Sequence, residues 1–260
     1  MLKRLFSDVK KYYPYSVVSA KSKLKAEVAN SYLNWLWWIL DPLCFMLIYT
    51  VIFGYIFNSK EQYFPVFIFV GISMWDFLNK TLLASVKIVN LNKAIITRVY
   101  LPKYVLILTK IWINGFKMMI SFGVVAVMML AFRIPISWNV LFFIPILLCL
   151  VIFTFGCACF LMHYGVYVED LSNVLNVGLR FLFYATGIFY NVSSRIPTYG
   201  DLLNKVNPVA FLISAMRQSL IYGETPDLII LAAWFAFSVI LALAGVRKIY
   251  KEENSYAKTI

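Results

Sequence analysis

Residues 140–164 read VLFFIPILLCLVIFTFGCACFLMHY, a stretch without one Asp, Glu, Lys or Arg. A bilayer core is about 30 Å thick and a helix rises about 1.5 Å per residue, so about 20 apolar residues span it. Residues 140–164 meet that length with turns to spare. Outward from them, comparable runs lie at 36–57, 64–86, 105–132, 174–190 and 228–246. The expected fold is an all-α integral membrane protein with six transmembrane helices, and an even number of crossings puts both termini on one side. Composition agrees: 62% of residues are hydrophobic and mean hydropathy is +0.79, outside the usage of soluble domains.

Lys and Arg decide which side, because basic loops stay in the cytoplasm while acidic residues count for little. With the N-terminus inside, inner segments carry fifteen basic residues against five outside. The exception is 163–173, which has Glu169 and Asp170 but no Lys or Arg. Both termini are therefore expected in the cytoplasm. The net charge of +12 is mostly this topological bias, with the rest near anionic headgroups, so nucleic acid is not an expected partner. Three regions follow: a cytoplasmic and interfacial segment 1–35, a transmembrane domain 36–246, and a basic cytoplasmic tail 247–260. No cleavable signal is expected before the first span, since 1–35 lacks an apolar core.

Between the spans, three segments have a pattern of their own. Leu2, Leu5, Phe6, Val9, Tyr12 and Tyr13 recur at helical spacing with Lys3, Arg4, Lys10 and Lys11 largely elsewhere, which predicts an amphipathic interface helix ended by Pro14. A second surface stretch, 19–33, leads to Trp35, Trp37 and Trp38, an interfacial aromatic belt. Segment 87–103, KIVNLNKAIITRVYLPK, is too polar to span; Ile88, Leu91, Ile95 and Val99 at spacings of three and four predict a short cytoplasmic helix, an ordinary connector being the alternative. Beyond the fifth run, 191–226 carries breakers around 208–222, whose Phe211, Leu212, Ala215, Ser219 and Tyr222 share one side. That segment is too short to cross and too apolar for water, so it is expected in the outer leaflet, covered by protein.

Catalytic chemistry is sparse. The chain has no phosphate-binding loop, no nucleophile elbow and one histidine, His163. Cys44, Cys149, Cys157 and Cys159 all fall inside expected spans, and Cys157 and Cys159 point about 200° apart on a helix, so packing rather than metal binding is expected. A membrane-embedded glycosyl or acyl transferase stays open as an alternative; its acid/base set could only be His163, Glu169 and Asp170. An ion-coupled carrier would need acidic residues near mid-bilayer, whereas Asp41 and Asp76 lie toward the inner edge. No internal repeat is evident, so symmetry would have to come from a homodimer.

Charges within the spans cost roughly 2.5–3.5 kcal/mol each unless they snorkel or face protein or water. Lys80 and Lys110 lie about 8–9 Å deep, within snorkelling reach. Asp76, one turn before Lys80, can meet it on one helical face. Lys117, roughly 18 Å deep, and Arg180, about 9–12 Å deep, are expected to face protein or a wet cavity, with a structural salt bridge as the alternative for Lys117. Aromatic residues are 18% of the chain, and those of the first and fifth runs, among them Tyr49, Phe53 and Tyr184, are a surface on which sugars could stack.

Four motifs in order resemble the permeases of type-2 ATP-binding-cassette exporters, in the branch that exports polysaccharides and teichoic acids. They are Tyr32-Leu33-Asn34-Trp35-Leu36-Trp37 through Asp41-Pro42; Asn90 to Pro102; Val168-Glu169-Asp170-Leu171; and Asn207-Pro208 to Arg217 followed by Gly223. Two departures are visible. Glu169 stands where relatives commonly carry Arg, so an ion pair there does not transfer, and Gly187-Ile188-Phe189-Tyr190 lacks the usual Pro-Val. The resemblance implies a homodimer in the bacterial cytoplasmic membrane, joined to two copies of a separate P-loop ATPase that holds ATP and Mg, with no cofactor or metal on this chain. It implies a coupling helix at 87–103, with Asn90, Lys93, Arg98, Pro102, Glu169 and Asp170 at the ATPase, and outer gate helices at 191–222, with Pro208 and Arg217. It also implies a conduit for a lipid-linked, undecaprenyl-type glycan such as O-antigen, capsule or teichoic acid; by their depth and their rings, Tyr49, Phe53, Lys117, Arg180 and Tyr184 are the residues expected to touch the cargo.

Overall fold

The computed structural model describes residues 2–29, 34–57, 61–192, 199–253 and 256, and among these the chain is helical, without strands. Tyr32 and Leu33, the side chains of Leu2, Leu5 and Phe6, and residues 193–198 of the outer segment lie outside the described set.

In chain order the helices are α1 (Leu2–Val28), α2 (Asn34–Tyr49, continued by π-helical turns Thr50–Ile56), α3 (Phe64–Val86), α4 (Ile88–Leu91), α5 (Lys93–Ile96) and α6 (Tyr104–Ala131). There follow α7 (Phe143–Tyr167), α8 (Leu171–Ala185), α9 (Gly200–Val206), α10 (Pro208–Arg217, continued by the π-helical turn Gln218–Tyr222) and α11 (Leu228–Lys251). Among the described residues, five helical stretches are long and apolar enough to cross a membrane: Trp35–Ile56, Phe64–Val86, Tyr104–Ala131, Trp138–Tyr167 and Leu228–Lys251. The fifth expected run, 174–190, differs. Its helix, α8, has 15 residues, about 22 Å at the usual rise and short of a full bilayer. The backbone turns after Thr186 because Gly187 takes a left-handed φ of 69°, which a residue with a Cβ rarely adopts.

α3 is the axis of the fold. Val66 to Trp75 is buried without a break, which needs apolar or small residues all round the helix, and α2, α6, α7, α8 and α10 pack about it. On its far side α7 and α11 cross closely. A Cβ on Gly156 would stand 2.9 Å from the Ala242 nitrogen, and one on Gly245 2.7 Å from the Cys159 Cβ. Small residues at such crossings let backbones approach where lipid removes any hydrophobic drive for association. Cys149 and Cys159 are packed inside, but Cys44 is exposed, because its side of α2 is left uncovered by this chain.

Pro14 does not end α1, which continues to Val28. An internal proline forfeits one amide donor, but the helix is held from outside, where the Tyr13 ring meets Trp112 edge-on at 5.8 Å, and from within, where the Ser16 hydroxyl donates to the Tyr13 carbonyl at 2.8 Å.

The two ends of the bundle are distinct. At one, the Tyr250 hydroxyl donates to Asp8 at 2.7 Å, the Tyr100 hydroxyl to Glu253 at 3.1 Å, and His163 Nδ1 lies 2.7 Å from the Tyr256 hydroxyl. So α1, segment 87–103, the end of α7 and the residues after 246 meet there. At the other, the Tyr222 hydroxyl donates to Glu61 at 2.8 Å and the Asn139 amide donates to the carbonyl of Gly223.

Candidate functional site

Among the helices of the expected membrane runs, α8 is the one whose chemistry least suits lipid. Leu175, Leu179 and Phe183 turn toward the body, while Asn173, Asn176, Arg180 and Tyr184 form an exposed stripe at spacings of three and four. Beside that stripe a groove of about 530 Å³ runs between α2, α3 and α8, with Tyr49, Trp75, Asp76, Asn79, Asn176 and Arg180 on its walls and Tyr184 at its edge. One end of it is closed by rings. Tyr49 and Phe53 lie 4.5 and 4.6 Å from Phe189, the latter pair stacked within 10°, and Phe183 sits 5.4 Å from Trp75. The aromatic residues of the first and fifth expected runs thus form one cluster, with Phe189 as its centre.

The five residues expected to share a conduit divide. Tyr49, Arg180 and Tyr184 line the groove and Phe53 belongs to the ring cluster, but Lys117 lies across α3 in a separate polar cavity of about 330 Å³ with Trp38, Asp41, Asp76, Lys80 and Asn114. α6 packs on the opposite flank of α3, which the depth of a residue along its own helix does not reveal. There Lys117 Nζ sits 2.7 Å from Glu27 and 5.3 Å from the Trp38 ring centroid. Lys80 bonds Asp76 at 2.6 Å, as the one-turn spacing implies, and lies 3.6 Å from Asp41, a partner that only tertiary packing supplies. Asp76 borders both cavities.

Lys117 and Glu27 are partly exposed, at 26% and 42%, so their pair is worth about 1 kcal/mol or less. Replacing Lys117 by Met is expected to lower the thermal midpoint slightly, and adding Glu27→Met should cost no further stability, because the two act as one unit. Strict additivity of the two losses would show that the pair is not coupled.

Segment 87–103 is two one-turn helices rather than one, broken where the Asn92 amide donates to the Ile88 carbonyl at 2.7 Å and takes it from the helical ladder. Ile88, Val89, Leu101 and Pro102 are anchored in the body, and Lys103 lies 3.7 Å from Glu253. Between the anchors Asn90, Lys93 and Arg98 are exposed together with the apolar Leu91, Ile95, Val99 and Tyr100. Glu169 and Asp170, in the exposed turn between α7 and α8, stand at the same end. His163 by contrast is buried against Tyr256, so the residues available for acid/base work are not brought to one surface.

At the opposite end Asn207 caps α10, its side-chain oxygen accepting from the Val209 and Ala210 amides at 3.1 and 3.3 Å, with Pro208 in the first turn, where a missing N–H costs nothing. α10 is buried all round, as a helix too short to cross must be. It ends in Arg217, 4% exposed. The guanidinium donates to the carbonyls of Phe67, Gly187 and Ile188 at 3.0, 2.8 and 2.8 Å and lies 3.4 Å over the Phe67 ring. It binds α3, the turn after α8 and α10 into one unit. Sequence spacing carries no sign of this role, since the partners are backbone oxygens 29 to 150 residues away.

The sequence pattern of the ABC-2 type transporters matches residues 18–221, from the middle of α1 to the turn after α10. The chain belongs to the ABC-2 type transporter family. It is a multi-pass membrane permease, and similar proteins match it over nearly their whole length. The O-antigen export system permease protein RfbA of Myxococcus xanthus is 24% identical over 258 residues, 99% of each chain. A protein of the same name from Klebsiella pneumoniae is 25% identical over 245 residues, 94% of each. Another from that species is 26% identical over 208 residues, 80% of each.

Proposed function

We propose that this chain is the membrane permease of an ATP-driven exporter that moves a lipid-linked glycan of the O-antigen type across the bacterial cytoplasmic membrane, as a homodimer with two copies of a separate P-loop ATPase. The observation that carries the reading is the polar stripe of α8. Arg180 and two amides facing lipid would cost several kcal/mol, whereas facing a second copy's groove they would bond sugar hydroxyls and the phosphates of a lipid carrier. The rings of Tyr49, Phe53 and Phe189 beside them offer sugar-stacking surface without demanding one sugar sequence. α2 supports the same arrangement, for only 11% of its span is buried within the chain. The near-complete match to permeases named for O-antigen export supports the cargo class.

Both termini and segment 87–103 are assigned to the cytoplasm from the basic bias, and the meeting of Asp8 with Tyr250 at one end supports a shared side. Leu91, Ile95 and Val99 then face a cleft on the ATPase, with Asn90, Lys93 and Arg98 around them. ATP closes the ATPase dimer, the two α4–α5 connectors are displaced, and α2 and α8 part at the dimer axis. Pro208 and Arg217 are assigned to the outer gate, Arg217 as the buried clamp that fixes it rather than as a residue facing the conduit.

Purification of the tagged chain in mild detergent, from cells that carry its export system, is expected to yield a P-loop ATPase with it. Arg98→Glu is expected to leave membrane insertion intact while export falls at least tenfold relative to ATP hydrolysed. Export by the chain with no nucleotide-hydrolysing partner, or undiminished export by the Arg98→Glu variant, would count against the coupling assignment.

A further inference from the structure

A second, apolar trough of about 600 Å³ lies away from the conduit groove, between α1, α2 and α6. Val17, Ala20 and Leu24 form one wall, Trp38 one end, and Trp112 and Phe116 the floor. Trp112 and Phe116 are left 42% and 49% exposed by this chain, so something apolar covers them. Lys21 and Lys25, one turn apart on α1, stand along the rim. Glu27, the nearby carboxylate, is engaged by Lys117 at 2.7 Å and does not neutralise them.

We propose that this trough binds an anionic phospholipid of the surrounding bilayer, one acyl chain lying between α1 and α6 and the phosphate held by Lys21 and Lys25. Charge selects the occupant. An apolar protein helix, or a second copy of this chain, would cover the rings but leave two ammonium groups unanswered. A zwitterionic lipid brings its own cation to the same place. An anionic headgroup satisfies the lysines while its chain covers Trp112 and Phe116, the arrangement expected of a basic pocket between membrane helices. Since α1 supplies a wall and α6 the floor, the lipid also fixes the interface helix against the bundle.

The test uses the full chain in nanodiscs made of equal parts phosphatidylglycerol and phosphatidylcholine, released into native mass spectrometry. It needs neither glycan nor ATPase, so its result is independent of the export reading. Wild type is expected to retain one phosphatidylglycerol in several-fold preference to phosphatidylcholine, K21Q/K25Q to lose that preference, and Ala20→Phe, which fills the trough, to lose the retained lipid. Absence of preference in wild type overturns the proposal, as does a preference unchanged in K21Q/K25Q. Should K21Q/K25Q fail to fold, a phosphatidylglycerol still retained by Ala20→Phe overturns it equally.

Discussion

Arg217→Ala is expected to remove most of the folded permease from the membrane. The guanidinium supplies three hydrogen bonds to buried carbonyls and covers the Phe67 ring. Hydrogen bonds to a charged group are worth about 1.5–3 kcal/mol each, and carbonyls left without partners away from water add their own penalty. Allowing for non-additivity, the loss is on the order of 3–5 kcal/mol, against a total stability of about 5–15 kcal/mol for a typical protein. Thermal unfolding followed by size-exclusion chromatography is expected to show a large drop in midpoint and in yield. Arg217→Lys should rescue little, because one ammonium on a flexible stem cannot serve three carbonyls set around a planar fork. Gly71 gives an independent handle on the same contact: a Cβ there would stand 2.6 Å from Arg217 Nη2, which the Ile188 carbonyl holds in place. Gly71→Val is therefore expected to reproduce the defect. A wild-type midpoint in Arg217→Ala would refute the clamp.

Gly165→Ala is the second large effect, although it adds one methyl group. Gly165 lies where the end of α7 passes the end of α3, and a Cβ there would overlap the Val86 carbonyl, with the Val86 Cγ1 at 2.8 Å. A backbone atom cannot swing aside as a side chain tip can, so the helices must separate. Overpacking of this kind costs about 1–3 kcal/mol, occasionally more. The displacement falls directly on Ile88 and Val89, the buried residues that seat the connector. Stability and export are both expected to fall, and export further than stability alone accounts for. Gly123→Ala on α6 is the control: nothing lies within 4 Å of its Cβ, and replacing a mid-helix glycine by alanine favours the helix by up to about 1 kcal/mol. Equal midpoints for the two alanine variants would remove the close-approach explanation.

The length and positions of the long helices were legible in the chain because a bilayer imposes a threshold that local composition either meets or does not. Residues 140–164 or 228–246 need no partner to be read as membrane helices, and the same holds for the basic bias of the loops and for the Asp76–Lys80 pair, whose spacing is set by the helix itself. The family motifs were legible for a similar reason, being contiguous. What tertiary structure alone decided are matters of contact between distant segments. α8 is short because Gly187 and the Arg217 clamp turn the chain early, and that clamp is assembled from carbonyls on three elements. Pro14 fails to break α1 because Trp112, nearly a hundred residues on, holds the helix beside it. Lys117 lies apart from Arg180 because α6 and α8 pack on opposite flanks of α3. Periodicity and hydropathy report what each segment requires of its surroundings; which segment meets the requirement depends on packing in three dimensions, and residues 90 positions apart, such as Glu27 and Lys117, leave no local trace of one another.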